Sequence, residues 1–188
     1  MAEVVLFHSI LGLRPAEAAI AARMRAAGHK VTTPDLYDGL RTDSYNEGFG
    51  MHDAIGDAEL LRRARDAVAA LPAETVLAGV SMGGGIAGEL WKDRRETAGV
   101  LFLHGPAPLA PAPRPGTPVE VHMADPEPFD DEAFIGAWIA EALALPIAFK
   151  VFRYAGAGHF FTDATLPDHD AAAAELALGR AVDLLARV

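Results

Sequence analysis

The pentapeptide Gly79-Val80-Ser81-Met82-Gly83 is the part of this chain most clearly suited to chemistry. A serine hydroxyl is a weak nucleophile, so it needs a backbone that exposes it and a base that takes its proton. Thr75 to Val80 reads as a strand and Met82 to Trp91 as a helix, which puts Ser81 on the turn between them. G-x-S-x-G holds a nucleophile in that context. Glycines on both flanks permit a turn too tight for side chains and lift the hydroxyl above the sheet edge. Gly84 and Gly85 are expected to let the helix pack closely on the sheet. The helix N-terminus offers the Met82 N–H to an oxyanion.

Such a serine is expected to be followed in the chain by an Asp or Glu and then by a His, each on a loop at the C-terminal end of a strand. Of seven histidines, His8, His29 and His52 precede Ser81, while His104 and His122 come too early or within a strand. His159 follows the last strand in a Gly-rich loop, Gly156-Ala157-Gly158-His159-Phe160, and is the expected base. His169 is its rival, at the start of the final helix. The acid should follow the fifth strand. Asp125 is the first carboxylate there, with Glu127, Asp130 and Asp131 close behind. Asp130 and Asp131 suit the N-terminus of the next helix. His8 and Ser9 end the first strand, and the following Ile10 N–H is the expected second oxyanion donor.

These residues need a scaffold of strands and helices. Val4–Ser9, Lys30–Asp35, Thr75–Val80, Ala98–His104, Val119–Met123 and Ala148–Tyr154 are short apolar runs. Between or after them lie helical patterns at Pro15–Ala27, Ile55–Leu71, Met82–Trp91, Asp130–Leu143 and Ala171–Val188. Leu36 to about His52 reads as a Gly-rich loop. Pro106 to Pro118 reads as a stiff surface loop. Continuously apolar strands alternating with helices predict a mostly parallel six-stranded sheet covered on both faces, in one α/β domain over 1–188. With the serine elbow, this is the α/β-hydrolase fold. At 188 residues there is no room for a cap domain, so an open pocket is expected.

Composition narrows the function further. The net charge of −10 disfavours a nucleic-acid partner. No apolar run is long enough for a membrane span. No secretory signal is visible at the N-terminus, so cytoplasm is the expected compartment. With no cysteine, thiolate metal sites and a cysteine nucleophile are excluded.

The chain resembles the dienelactone hydrolase family over nearly its whole length. The resemblance rests on His8-Ser9-Ile10-Leu11-Gly12, Thr33-Pro34-Asp35-Leu36-Tyr37, the Ser81 elbow through Gly84, Asp125 and Gly158-His159-Phe160-Phe161. It implies hydrolysis of lactones or small esters with no metal or organic cofactor. Two departures stand out. The best-known members carry cysteine at the nucleophile position and a glutamate after the first strand, where this chain has Ser81 and Ser9. An ordinary serine mechanism fits that combination, and dienelactone itself does not follow as the substrate. Asp35 reads as structural.

The expectation is therefore a cofactor-free, metal-free serine hydrolase of small carboxylic esters or lactones, monomer or homodimer. Ser81, His159 and Asp125 form its triad, and the Ile10 and Met82 amides its oxyanion hole. Ser9, Tyr37, His104 and Phe160 are candidate pocket residues, and Tyr45, Phe49 and Met51 lie on the loop expected to wall it. The rivals are a thioester or peptide substrate on the same site, and a hydrolase-like protein that binds without catalysis.

Overall fold

A computed structural model describes residues 1–188. Six strands form one sheet: β1 (Glu3–Phe7), β2 (Lys30–Thr32), β3 (Val76–Val80), β4 (Val100–Leu103), β5 (Pro118–Asp125) and β6 (Ala148–Ala155). Their order is β2-β1-β3-β4-β5-β6, and every neighbouring pair is parallel. Six helices accompany them: α1 (Pro15–Ala26), α2 (Tyr45–Ile55), α3 (Asp57–Val68), α4 (Met82–Trp91), α5 (Glu132–Ala144) and α6 (Ala171–Leu185).

The apolar strands divide their side chains between two cores, as a period of two requires. Val5 and Phe7 of β1, with Val100 and Phe102 of β4, pack beside Leu60 of α3, Trp91 of α4 and Trp138 of α5. Val4, Leu6, Leu101 and Leu103 point to the other face, beside Ile20 of α1 and Leu184 of α6. Helices therefore cover both faces, which is why these strands read as continuously apolar.

One expected loop contains a helix. Residues 45–55 form α2, and Gly56 at φ 82° separates it from α3. Ser44 caps α2 by accepting from Glu47 N–H at 3.4 Å. Gly48 lies against β1's following loop, where a Cβ would come within 2.9 Å of Ile10 O. Here glycine serves close packing instead of a loop.

Three buried histidines link the fold to pH. Burial lowers the basicity of His8, His104 and His122, in each case as the largest cause. For His8 the contacts also set the tautomer: Nδ1–H donates to Ser9 O at 2.7 Å and Nε2 accepts from Leu36 N–H at 3.0 Å. An unfolded chain takes up protons on these rings around pH 6.5, and the folded chain only at lower pH. The unfolded state then binds more protons, so stability falls as pH falls, by up to about 1.4 kcal/mol per pH unit for each ring. Urea midpoints at about pH 7.5 and about pH 5.5 should differ, with the lower value in acid. Equal midpoints would refute this.

Candidate active site

Ser81 sits directly after β3, with φ 52° and ψ −113°. A non-glycine residue held there is strained, and the surroundings must impose it. They do so on both sides. A Cβ on Gly79 would lie 2.0 Å from Gly83 O, and one on Gly83 would lie 2.3 Å from Phe7 O. The first turn of α4 is therefore pressed against β3 and β1, and Ser81 bridges the tight bend. Its N–H donates to Leu103 O at 2.7 Å, which ties the bend to β4. Gly84 and Gly85 do not make the close approach expected of them. A Cβ on Gly84 would meet nothing nearer than 3.7 Å, and one on Gly85 would meet open space.

His159 stands on the loop after β6, and its Nε2 is 2.9 Å from Ser81 Oγ. That loop is anchored from α2. Asp168 Oδ2 accepts from Tyr45 OH at 2.9 Å and from Phe160 N–H at 3.0 Å. Tyr45 also stacks on Phe160, with centroids 5.5 Å apart and planes 11° apart. His169 lies elsewhere, its Nδ1 at 3.0 Å from Phe161 O.

The carboxylate behind His159 is Glu127, not Asp125. Glu127 Oε1 lies 2.6 Å from His159 Nδ1, and the Glu127 side chain is fully buried. Asp125 is the last residue of β5, in register with Ala155 of β6, and its carboxylate accepts from Arg153 at 2.7 Å. The strand runs two residues beyond the expected end at Met123. Asp125 is thus held in the sheet, and the loop that reaches His159 begins later. Asp131 caps α5 by accepting from Phe134 N–H at 2.8 Å. Asp130 does neither job.

Ser81 Oγ, His159 and Glu127 form one hydrogen-bonded chain at the C-terminal ends of β3, β6 and β5. Such a chain can move a proton from the hydroxyl to Nε2 while the carboxylate holds Nδ1–H. A cleft of about 320 Å³ opens in front of it, and Ile10 and Met82 line that cleft with Ser81. The neighbours of Ile10 are committed: Ser9 N–H donates to Glu17 and Leu11 N–H to Ser9 Oγ. Met82 N–H belongs to the first helical turn, which leaves its donors without an intrahelical partner.

The expected pocket residues divide in two. His104 and Phe160 line the cleft, as do Tyr45 and Phe49. His104 Nε2 is 2.7 Å from Thr162 Oγ1, and its ring centroid is 5.9 Å from that of His159. Ser9 and Tyr37 do not line it. Ser9 is buried in the turn after β1, where its hydroxyl accepts from Leu11 N–H. Tyr37 is fully buried, with its ring edge against His8 and its hydroxyl donating to Met82 Sδ at 3.3 Å. Met51 packs on the core. Asp35 holds a turn by accepting from Tyr37 and Gly39 N–H. Phe129 and Asp130 line the cleft as well, although no local sequence pattern marks them for it. No three His, Asp or Glu side chains converge so as to hold a metal ion, and no helix is long and apolar enough to cross a membrane.

An all-parallel sheet with helices on both faces and a strained serine after its third strand defines an α/β-hydrolase. The sequence profile of the dienelactone hydrolase family matches residues 1–188, and the chain belongs to that family. Solved structures share the fold at low identity. One is a dienelactone hydrolase-like promiscuous phosphotriesterase from metagenomic libraries, with TM-score 0.79 and 20% identity over 100% of this chain and 86% of that one. Another is a dienelactone hydrolase from Anabaena variabilis, with TM-score 0.68 and 20% identity over 99% of this chain and 86% of the other. A phospholipase/carboxylesterase from Dyadobacter fermentans has TM-score 0.66 and 16% identity over 95% and 88% of the two chains. No functionally curated protein matches the chain in sequence.

Proposed function

We propose that the chain is a serine hydrolase of small carboxylic esters or lactones, acting through an acyl-enzyme. The observation that carries this reading is the unbroken contact from Ser81 Oγ through His159 to buried Glu127, open to a cleft. Ser81 Oγ attacks the ester carbonyl carbon as His159 Nε2 takes its proton. The Ile10 and Met82 N–H groups hold the developing oxyanion. The tetrahedral intermediate collapses, the C–O bond to the alcohol breaks, and His159 returns the proton to the leaving oxygen. Water then gives a proton to His159 and attacks the acyl-serine. Collapse releases the acid and restores Ser81. Glu127 stays ionised throughout, holding Nδ1–H and stabilising the imidazolium. Glu127 takes the role that Asp125 was expected to fill. Cytoplasmic location and a monomeric or dimeric state belong to the same proposal.

A fluorophosphonate probe tests the reading. The fluorophosphonate should add one phosphonyl group, with loss of fluoride, on the peptide carrying Ser81. Short-chain p-nitrophenyl esters should be hydrolysed by the same preparation. Absence of both labelling and turnover overturns the hydrolase reading and favours a binding protein.

A further inference from the structure

The cleft before Ser81 has an aromatic wall and one unpaired charge. Tyr45 and Phe49 come from α2, and Phe129 comes from the loop after β5. Tyr45 and Phe129 centroids lie 5.5 Å apart at 46°, and Phe49 and Phe129 lie 6.5 Å apart at 62°. The three rings pack against one another, and each lines the cleft. Phe49 and Phe129 are 45% and 51% exposed, so much of their surface is free to meet a ligand.

The carboxylate is Asp130. The cleft lining contains no lysine or arginine, and Asp130 is its one carboxylate. Its acidic neighbours are all engaged: Asp125 and Glu132 with Arg153, Glu127 with His159, Asp131 with the N-terminus of α5. Asp130 has no such partner. Its carboxylate faces Gly105, another lining residue, where a Cβ would sit 3.8 Å from Oδ2. Partial burial, and then the charge of Glu127, push its carboxyl above the ordinary aspartate range. A half-buried anion next to another anion is a place where a cation is favoured and a second anion is not. Aromatic faces add to the attraction for an ammonium group that is partly desolvated. The net charge of −10 biases encounter the same way.

We propose that this cleft selects esters carrying an ammonium group a few atoms from the carbonyl, with Asp130 as the countercharge and Tyr45, Phe49 and Phe129 as the aromatic wall. The substrate part rests on the ester-hydrolase reading above, whereas the cation site does not. The test uses acetylcholine and its uncharged carbon isostere, 3,3-dimethylbutyl acetate. The two share a shape, so the ratio of their kcat/KM values reads the charge. The wild-type protein should prefer the cation by about tenfold or more, as one countercharge with ring faces can supply. In Asp130→Asn the ratio should fall to within about threefold of unity, the residue of cation–ring attraction. Hydrolysis of both esters at equal efficiency overturns the selectivity while leaving the hydrolase reading intact. If neither ester is hydrolysed and Ser81 is not labelled, the hydrolase reading fails instead. Binding of tetramethylammonium, followed by ligand-observed NMR, then decides the cation site. Saturable binding lost in Asp130→Asn supports it, and binding that is absent or indifferent to Asp130 overturns it.

Discussion

Ser81→Ala and His159→Ala should each leave a folded protein whose ester turnover is lower by on the order of 10⁶-fold. The two side chains are 2.9 Å apart, and in the proposed mechanism they act on one proton. Neither does its work without the other, so the double variant should be no slower than either single one. Alanine at 81 meets the same backbone cost at φ 52° as serine does, so the elbow should survive the substitution. His159 is almost wholly buried, and its ring packs edge-on against Phe129 and Phe160 at 4.6 and 4.7 Å. His159→Ala therefore calls for a check of folding by circular dichroism alongside the rate. His169→Ala serves as the contrast, because that ring holds only a backbone carbonyl on a neighbouring turn. Single-turnover kinetics on an activated ester measure all four proteins. Multiplicative losses in the double variant, or full activity in His159→Ala, would show that these residues do not form one catalytic unit.

The parts of this arrangement that could be read from the sequence are those set by local patterns. Val4, Leu6, Val5 and Phe7 had to face two cores because none of them is polar, and they do. Ser81 was legible because glycines at 79 and 83 are demanded by backbone atoms, not by taste of composition. Helix α2 was hidden by Gly48 and Gly50 but carried its own signal. Ser44 and Glu47 have the spacing of a capping box, and Ser44 does cap the helix. That helix brings Tyr45 and Phe49 to the cleft, so the segment walls the pocket as expected, but as a helix instead of a loop. Tyr37 lay beyond such reasoning, because an aromatic after a strand suits a core and a pocket equally well. In the fold its ring is buried edge-on against His8, a residue 29 positions earlier in the chain. The choice among Asp125, Glu127 and Asp130 depended on where β5 stops, which is set by pairing with β6 and not by the residues of β5 alone.

Glu127→Gln should keep the fold and reduce turnover by about 10⁴-fold, the scale expected when the carboxylate behind a catalytic imidazole becomes an amide. The geometry gives two reasons. Glu127 Oε1 is 2.6 Å from Nδ1, and an amide nitrogen presented there would favour a proton on Nε2, the nitrogen that must accept from Ser81. If the amide oxygen faces Nδ1 instead, the tautomer is kept but the negative charge is gone when the imidazolium forms. That charge matters because the Glu127 side chain is fully buried, where solvent screens it least. Its second oxygen has no protein partner, so its strongest polar contact is His159 and the damage should fall on turnover more than on the fold. Asp125→Asn should behave differently. It weakens a partly exposed pair with Arg153, which retains Glu132, and such pairs contribute roughly 0–1 kcal/mol to stability. Its turnover should stay within about twofold of wild type, since it has no contact with His159 through which to act. Steady-state kinetics with urea titrations on both variants separate the two roles. Loss of turnover in folded Asp125→Asn, with Glu127→Gln unaffected, would reverse the assignment and show that the loop after β5 rearranges before the ester is cleaved.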